Sequence, residues 1–514
     1  MRLFTTIAGT RTFLDSLRPN RTIALVPTMG ALHRGHESLI RRAVAEADVA
    51  VVSIFVNPLQ FGPNEDLSRY PRSLESDRQL CEALGVKVMF APDNATMGID
   101  DGRSLDEIVR VVPPIAMTER LCGAFRPGHF EGVATIVTRL FQIIRPSIAY
   151  FGEKDAQQLA IIRRLVADLN IPVEIRSCPT VREESGLALS SRNRYLSDSE
   201  REKATILWLG LRAALSRFQD GERDRTALLD TVRETLALVP DFHEQYVDLV
   251  DPLTLNPRST IEREGLLAIA GYLGNTRLID NLLLRRRQPT IAIDGPAGAG
   301  KSTVTRRVAR ELGLLYLDTG AMYRAVTWLV MEEGIASGDE AAIAEAVAKA
   351  RIEFLPPPSV DREPTVKING RDVTGAIREP EIAARVSAIA AMKAVRERLV
   401  GLQREIGRSG GIVVEGRDIG TNVFPDAELK IFLTASPLER AKRRWKDLEQ
   451  RGRSGISLEK LEQEIRERDH LDSNRPLSPL MKAIDAIEVN TDHLTIEAVT
   501  EKIVFLYREK IKIP

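Results

Sequence analysis

Two groups of residues in this chain have types and spacings suited to ATP chemistry, and they suit different reactions. Near the start, Pro27-Thr28-Met29-Gly30 is followed by His33-Arg34-Gly35-His36. Imidazoles at the mouth of a helix can hydrogen-bond phosphate oxygens and stabilise charge building on an α-phosphate, the chemistry of adenylyl transfer with pyrophosphate leaving. A His pair of this spacing is on its own more often structural, and no nearby Cys/His set completes a zinc site. Far downstream stands Gly295-Pro296-Ala297-Gly298-Ala299-Gly300-Lys301-Ser302, a G-x4-G-K-S loop with Thr303 beyond it. Backbone N–H groups of such a loop wrap phosphates, Lys301 reaches the β- and γ-phosphates, and Ser302 can ligate Mg²⁺. That is phosphoryl transfer, with ADP leaving. One active site would not carry both chemistries, so the chain reads as two enzymes joined end to end.

The elements around each group support this division. In the first half, apolar runs at 22–26, 50–56, 86–91, 147–151 and 173–177 alternate with amphipathic stretches at 35–47, 73–84, 131–144 and 154–169. This pattern predicts a parallel sheet covered by helices on both faces, a Rossmann-like α/β domain over residues 1–186. From Ser197 the texture changes to two helix-like stretches, then strand-like runs at 244–250, 266–270 and 277–284, which predicts a small α+β subdomain over 187–284. Residues 285–289, RRRQP, read as a solvated linker. A new strand at 290–294 then leads into the phosphate loop and opens a second α/β domain, 290–514. Buried strands are expected at 411–414 and 429–433, and helices at 439–448 and 458–470. Turn-rich residues from about 352 to 385 form an insert, with a short strand at 365–368, and about 440–456 forms an arginine-bearing lid.

With 514 residues, 43% hydrophobic and 28% charged, the chain has the composition of a soluble protein of several domains. Lys+Arg and Asp+Glu both total 72, which gives no electrostatic case for nucleic acid or an anionic membrane as partner. No apolar run approaches the ~18 residues of a membrane span, and residues 1–20 lack the pattern of a signal peptide. Cys81, Cys122 and Cys178 form no C-x-x-C pair and suggest reduced thiols in a cytoplasm.

The first half also carries VPTMGALHRGH (26–36), FVNPLQFGPNEDLSRYPR (55–72), GHFEGVATIV (128–137), YFGEKDAQQL (150–159) and LALSSRNRYL (187–196). In this order they closely resemble pantothenate synthetase (pantoate–β-alanine ligase), of the class I nucleotidyltransferase superfamily. The resemblance implies that ATP and pantoate form pantoyl-adenylate, which β-alanine converts to pantothenate and AMP. It implies an ATP site of Pro27, Thr28, Met29, Gly30, His33, Gly35, His36, Gly152, Glu153, Lys154, Asp155, Val181, Leu189, Ser190, Ser191 and Arg192, with His33, His36 and Lys154 catalytic. Asn57, Gln60 and Gln158 would orient pantoate, residues 61–70 would cover the intermediate, and a homodimer would form through this half. Leu189 departs from the family's usual Met, an apolar exchange.

The second half resembles bacterial cytidylate kinase through LDTGAMYRAVTW (317–328), RVSAIAAMKAVRERL (385–399), VVEGRDIGTNVFPDAELKIFL (413–433) and RERDHLDSNRPLSPL (466–480). The resemblance implies a P-loop nucleoside monophosphate kinase fold and transfer from Mg²⁺-ATP to CMP or dCMP, with Lys301 catalytic. Thr319, Tyr323, Arg324, Arg417 and Arg475 would hold the CMP phosphate, because forked guanidinium donors suit phosphate oxygens. Ser387, Arg396 and Asp418 would read the cytosine, and Arg468 and Asp472 would lie around the ribose. Two rivals stand beside this reading: one half as a nucleotide-binding or dimerisation module, or the same folds acting on other acceptors.

Overall fold

Strands β2 (Ile23–Thr28) and β3 (Val49–Ile54) are buried along nearly their whole length, as the apolar runs IALV and VAVV require of parallel strands covered on both faces. In the computed structural model, which describes residues 1–18, 21–62, 65–99, 108–286, 288–355, 364–450, 457–474 and 478–511, they lie at the centre of a sheet. With β1 (Arg2–Phe4), β4 (Val88–Phe90), β5 (Ile148–Gly152) and β6 (Glu174–Cys178) it has six strands in the order β1-β4-β3-β2-β5-β6. Every pairing is parallel. Alternate side chains of β2 serve opposite layers. Leu25 joins Leu140 and Phe141 of the helix His129–Ile144, while Ala24 and Val26 join Leu39, Ile40 and Ala43 of the helix Arg34–Glu46. The strand order reverses between β2 and β5, which opens a crevice at their carboxyl ends.

Three antiparallel strands follow, β7 (Phe242–Val250), β8 (Glu264–Leu273) and β9 (Thr276–Arg285). Helices Ile206–Gln219 and Arg225–Leu236 cover one face. On the other, Leu266 and Ala268 pack against Ala160 and Ile161 of the helix Ala156–Asp168. A short helix, Asp198–Lys203, precedes the two helices expected here; a reciprocal capping box between Ser197 and Glu200 starts it.

The chain divides into two units, Met1–Arg286 and Arg287–Pro514. In the second, β10 (Thr290–Asp294) is central to a five-stranded parallel sheet with β11 (Leu315–Asp318), β15 (Ile412–Gly416), β16 (Leu429–Thr434) and β17 (Ile487–Asn490), ordered β11-β15-β10-β16-β17. Ile291 and Ile293 pack on Val304 and Val308 of the helix Lys301–Leu312, and Ala292 faces the opposite core with Met322 and Ala325 of the helix Thr319–Glu332. In the insert, β12 (Ile352–Leu355), β13 (Thr365–Ile368) and β14 (Arg371–Asp372) form a small antiparallel sheet. Pro380, suited to a first helical turn, opens a helix running to Ala391. In the stretch expected to form a lid, helices Pro437–Gln450 and Leu458–Asn474 pack through Ala441, Leu461 and Ile465; the end of that stretch, residues 451–456 with Arg451 and Arg453, lies outside the described residues. Among the described residues no helix is long and apolar enough to cross a membrane, and the three cysteines are buried and free.

Candidate active sites

β2 ends at Pro27-Thr28 and runs into a tight turn in which Gly30 and Ala31 both have positive φ, 82° and 50°. A buried carboxylate holds that turn. Asp77, from the helix Leu74–Ala83, accepts the N–H of Ala31 at 2.9 Å and of Leu32 at 2.8 Å. The turn delivers His33 as the N-cap of the helix Arg34–Glu46. There His33 Nδ1 accepts the Gly35 N–H at 3.1 Å, and His36 Nδ1 accepts the His33 N–H at 3.4 Å. With both Nδ1 atoms committed as acceptors, a neutral ring carries its proton on Nε2. Burial, helped by Lys154, holds the His33 pKa at about 4; burial, helped by His33, holds that of His36 at about 3. The helix mouth therefore presents two neutral N–H donors, with ring centres 4.2 Å apart, at its positive end.

Beside β3, Asn57 organises a short turn. Its Oδ1 accepts the Leu59 N–H at 3.1 Å, and its Nδ2 donates to Gln60 Oε1 at 3.0 Å and to the Gly132 carbonyl at 3.1 Å. The turn lies so close to the helix His129–Ile144 that a Cβ on Gly132 would sit 2.2 Å from the Leu59 carbonyl oxygen. Arg126 donates to Glu65 at 2.5 and 2.7 Å, and His129 Nδ1 lies 2.7 Å from the Gln60 carbonyl. At the end of β5, Gly152 precedes a turn of Glu153, Lys154 and Asp155. Asn281 of β9 supports that turn, donating to the carbonyls of Glu153 at 3.1 Å and Lys154 at 2.7 Å. Ser190 caps the turn Ser191–Tyr195.

A cavity of about 250 Å³ at the crevice brings these pieces together. Pro27, Thr28, Met29, His33, Gly35, His36, Asn57, Gln60, Gly152, Lys154, Asp155, Gln158, Val181, Leu189, Ser190, Ser191 and Arg192 all line it. Gly30 and Glu153 do not; they shape the flanking turns. Sequence reasoning missed Asp77, Arg126 and Asn281, and gave His129 no role. Asp77 and Asn281 act on backbone groups of distant segments, so no local pattern marks them.

In the second unit the phosphate loop leaves β10 at Gly295, where a Cβ would lie 2.0 Å from the Leu433 carbonyl oxygen. Pro296 and Ala297 follow, Gly298 and Gly300 have positive φ, and Ala299 offers its carbonyl to Thr491 at 3.4 Å. Lys301 folds back, donating to the carbonyls of Gly295 and Pro296 at 2.7 Å each. Burial and then Arg417 push its pKa down. Arg440, buried in the lid region, donates to the Ala297 carbonyl at 3.0 Å and bonds Asp469. Ser302 and Thr303 open the helix behind the loop.

A cavity of about 820 Å³ joins Ala297, Gly298, Lys301 and Ser302 to Thr319, Tyr323, Arg324, Ser387, Arg396, Arg417, Asp418, Arg468 and Asp472. Three of its arginines are already held by carboxylates: Arg324 by Asp318 at 2.9 Å, Arg417 by Asp472 at 2.9 Å and Arg396 by Asp418 at 2.5 Å. Asn422 donates to Asp418 at 3.0 Å, and the Thr319 hydroxyl donates to the Glu415 carbonyl at 2.8 Å. Arg475 lies outside the described residues.

Comparisons with known proteins match both halves. The family described as pantoate-beta-alanine ligase matches residues 2–283, and the cytidylate kinase family matches 291–509. A protein of Synechocystis sp. named bifunctional pantoate ligase/cytidylate kinase is 58% identical over 512 residues, 99% of each chain. One of the same name from Thermosynechococcus vestitus is 56% identical over 510 residues, again 99% of each. The crystal structure of pantothenate synthetase from Thermus thermophilus is 47% identical, with a TM-score of 0.52, covering 55% of this chain and 99% of that one. Two family models, one on each half, and relatives matched end to end place the chain: it belongs to the bifunctional pantoate ligase/cytidylate kinase family.

Proposed function

We propose that the first unit condenses pantoate with β-alanine through pantoyl-adenylate, releasing pyrophosphate and AMP, and that the second transfers the γ-phosphate of ATP to CMP or dCMP. The observation that carries the first assignment is the His33–His36 pair at a helix N-terminus, with both Nδ1 atoms placed to accept backbone N–H groups, in one cavity with Lys154. His33 and His36 donate to the ATP phosphates, Lys154 adds positive charge, and Asn57, Gln60 and Gln158 orient pantoate. Its carboxylate, already ionised, attacks the α-phosphorus, so the site needs no strong base. Leaving-group charge grows where the donors already point. Gly152, Asp155 and the segment Val181 to Arg192 enclose the rest of the nucleotide.

In the second unit the loop N–H groups and Lys301 receive the ATP phosphates, Arg324, Arg417 and Arg475 neutralise the acceptor phosphate, and Arg468 and Asp472 lie around the ribose. Transfer between two anions needs such charge density and in-line positioning. Arg396, Asp418 and Ser387 read the cytosine edge. The residues around Ser302 fit a divalent cation: among the described residues Glu415 Oε2 is buried with no hydrogen-bond partner, and Ser302 interacts with that carboxylate. Ser302 would hold Mg²⁺, which would supply positive charge against the ATP phosphates. The free thiols fit a reducing cytoplasm, and a homodimer through the first unit follows the family.

The test is one reaction with Mg²⁺-ATP, pantoate, β-alanine and CMP, with controls omitting each acceptor and products resolved by mass. Pantothenate with AMP, and CDP with ADP, are expected, each appearing only with its own acceptor. A folded protein that made only one pair would overturn the assignment of the silent unit.

A further inference from the structure

Two loops that face the first unit's nucleotide cavity are tied to one strand of the small subdomain. One is the turn Glu153–Asp155, whose Glu153 and Lys154 carbonyls accept the side-chain amide of Asn281 in β9 at 3.1 and 2.7 Å. The other is a hairpin. The Glu183 N–H donates to the Leu187 carbonyl and the Leu189 N–H to the Val181 carbonyl, both at 2.9 Å, and the chain leaves as Ser190-Ser191-Arg192. Arg182 sits in this hairpin, and Asp280, the residue before Asn281, accepts both arms of its guanidinium at 2.6 and 2.9 Å. The guanidinium also donates to the Gly186 carbonyl at 3.1 Å and lies over the Trp208 ring, 3.7 Å from its centre. Asp280 is 3% exposed, and its Oδ1 accepts the Asn281 N–H at 2.8 Å as well.

Successive side chains of a strand point to opposite faces, so two adjacent residues of β9 reach two separate loops. Neither residue lines the nucleotide cavity itself, which takes Lys154 from one loop and Val181, Leu189, Ser190, Ser191 and Arg192 from the other. Resting on the ligase reading above, we infer that Asp280 and Asn281 are positioning residues for adenylation, a strut that holds the two ATP-facing loops at a fixed separation. The bonds suit that role. A bidentate arginine–carboxylate pair fixes direction as well as distance. An amide that donates to two consecutive carbonyls fixes a whole turn rather than one atom. The charge on Lys154 and the donors of loop 190–192 must meet a single triphosphate, and a displacement of about 1 Å costs on the order of 10² in rate. The adenylation machinery thus extends into a strand far in sequence from every motif that marks it.

The experiment measures pantoate-dependent exchange of pyrophosphate into ATP on the full chain, which reads adenylation. CMP phosphorylation and thermal unfolding are followed on the same preparations. Asn281→Ala is expected to lower the exchange kcat about 10- to 100-fold, the effect of two hydrogen bonds acting through Lys154. In a Lys154→Ala background the same substitution should cost less than about twofold, since the group it positions is gone. An equal fold-loss in both backgrounds is what a merely structural role would produce, and it would overturn the strut. Asp280→Asn keeps the side chain's shape but leaves an acceptor for only one arm of Arg182. It is expected to raise the ATP KM about tenfold with CMP phosphorylation retained, and Arg182→Lys, which keeps the charge and loses the fork, should match it. An unchanged ATP KM in Asp280→Asn would also overturn the strut, and each result decides without the other variant. Absence of exchange in the unmodified protein would instead overturn the ligase reading.

Discussion

At the scale of single residues, the account turns on protonation and pairing. His33 and His36 bind protons more weakly in the folded chain, at pKa values of about 4 and 3, than the ordinary 6.5. As pH falls, the unfolded chain therefore takes up protons first, and stability declines from about 6.5 down to about 4 through His33 and about 3 through His36. Thermal unfolding of the first unit should shift down from pH 7 to pH 5, and the shift should shrink in His36→Asn. Equal shifts in both proteins would contradict the neutral-donor reading. In the second unit, Arg396→Ala removes the buried ion pair that Arg396 makes with Asp418 at 2.5 Å. A loss of about 3–5 kcal/mol in stability is expected, and a fall of tenfold or more in the CMP-over-UMP ratio of kcat/KM. An unchanged ratio would remove Arg396 from base recognition. The sequence announced these residues by local pattern: the imidazole pair, the glycine-rich loop, arginines in long matching segments. It did not announce Asp77 or Asn281, whose function lies in which distant backbone they reach.

At the scale of elements, catalytic geometry depends on how closely segments approach. The Asn57 turn rests on the helix His129–Ile144 because residue 132 has no side chain. Gly132→Ala is expected to displace that turn, at a cost of about 1–3 kcal/mol from overpacking, and to raise the pantoate KM while CMP phosphorylation is unaffected. Steady-state kinetics of both reactions on one preparation would check this; an unchanged pantoate KM would contradict it. The parallel strands were legible because burial on both faces forces continuous apolar runs, as in IALV and VAVV. Less legible were β1, only three residues long, and the helix Asp198–Lys203, whose exposed side chains leave no apolar stripe. In the insert, β12 was missed for a related reason: among the described residues its four residues pair only with β13, within a turn-rich stretch. Cavity walls that cross elements, such as Asn281 of β9 beneath Lys154, appear only once the strands are packed.

At the scale of the whole molecule, two units carry two chemistries that consume the same nucleotide differently, one to AMP and one to ADP. Each has its own parallel sheet, its own helix N-terminus at the end of a central strand, and its own cavity. Among the described residues, the first cavity is lined by residues of the first unit and the second cavity by residues of the second, so each activity should fail alone. The most direct measurement is to assay pantothenate and CDP formation together in His36→Ala and in Lys301→Ala, each checked for folding. Loss of one well-aimed donor ordinarily costs about 10²–10³ in rate. His36→Ala should lose pantothenate formation on that scale and keep CDP formation, and Lys301→Ala should do the reverse. Either substitution silencing both reactions in a folded protein would contradict two independent active sites in one chain.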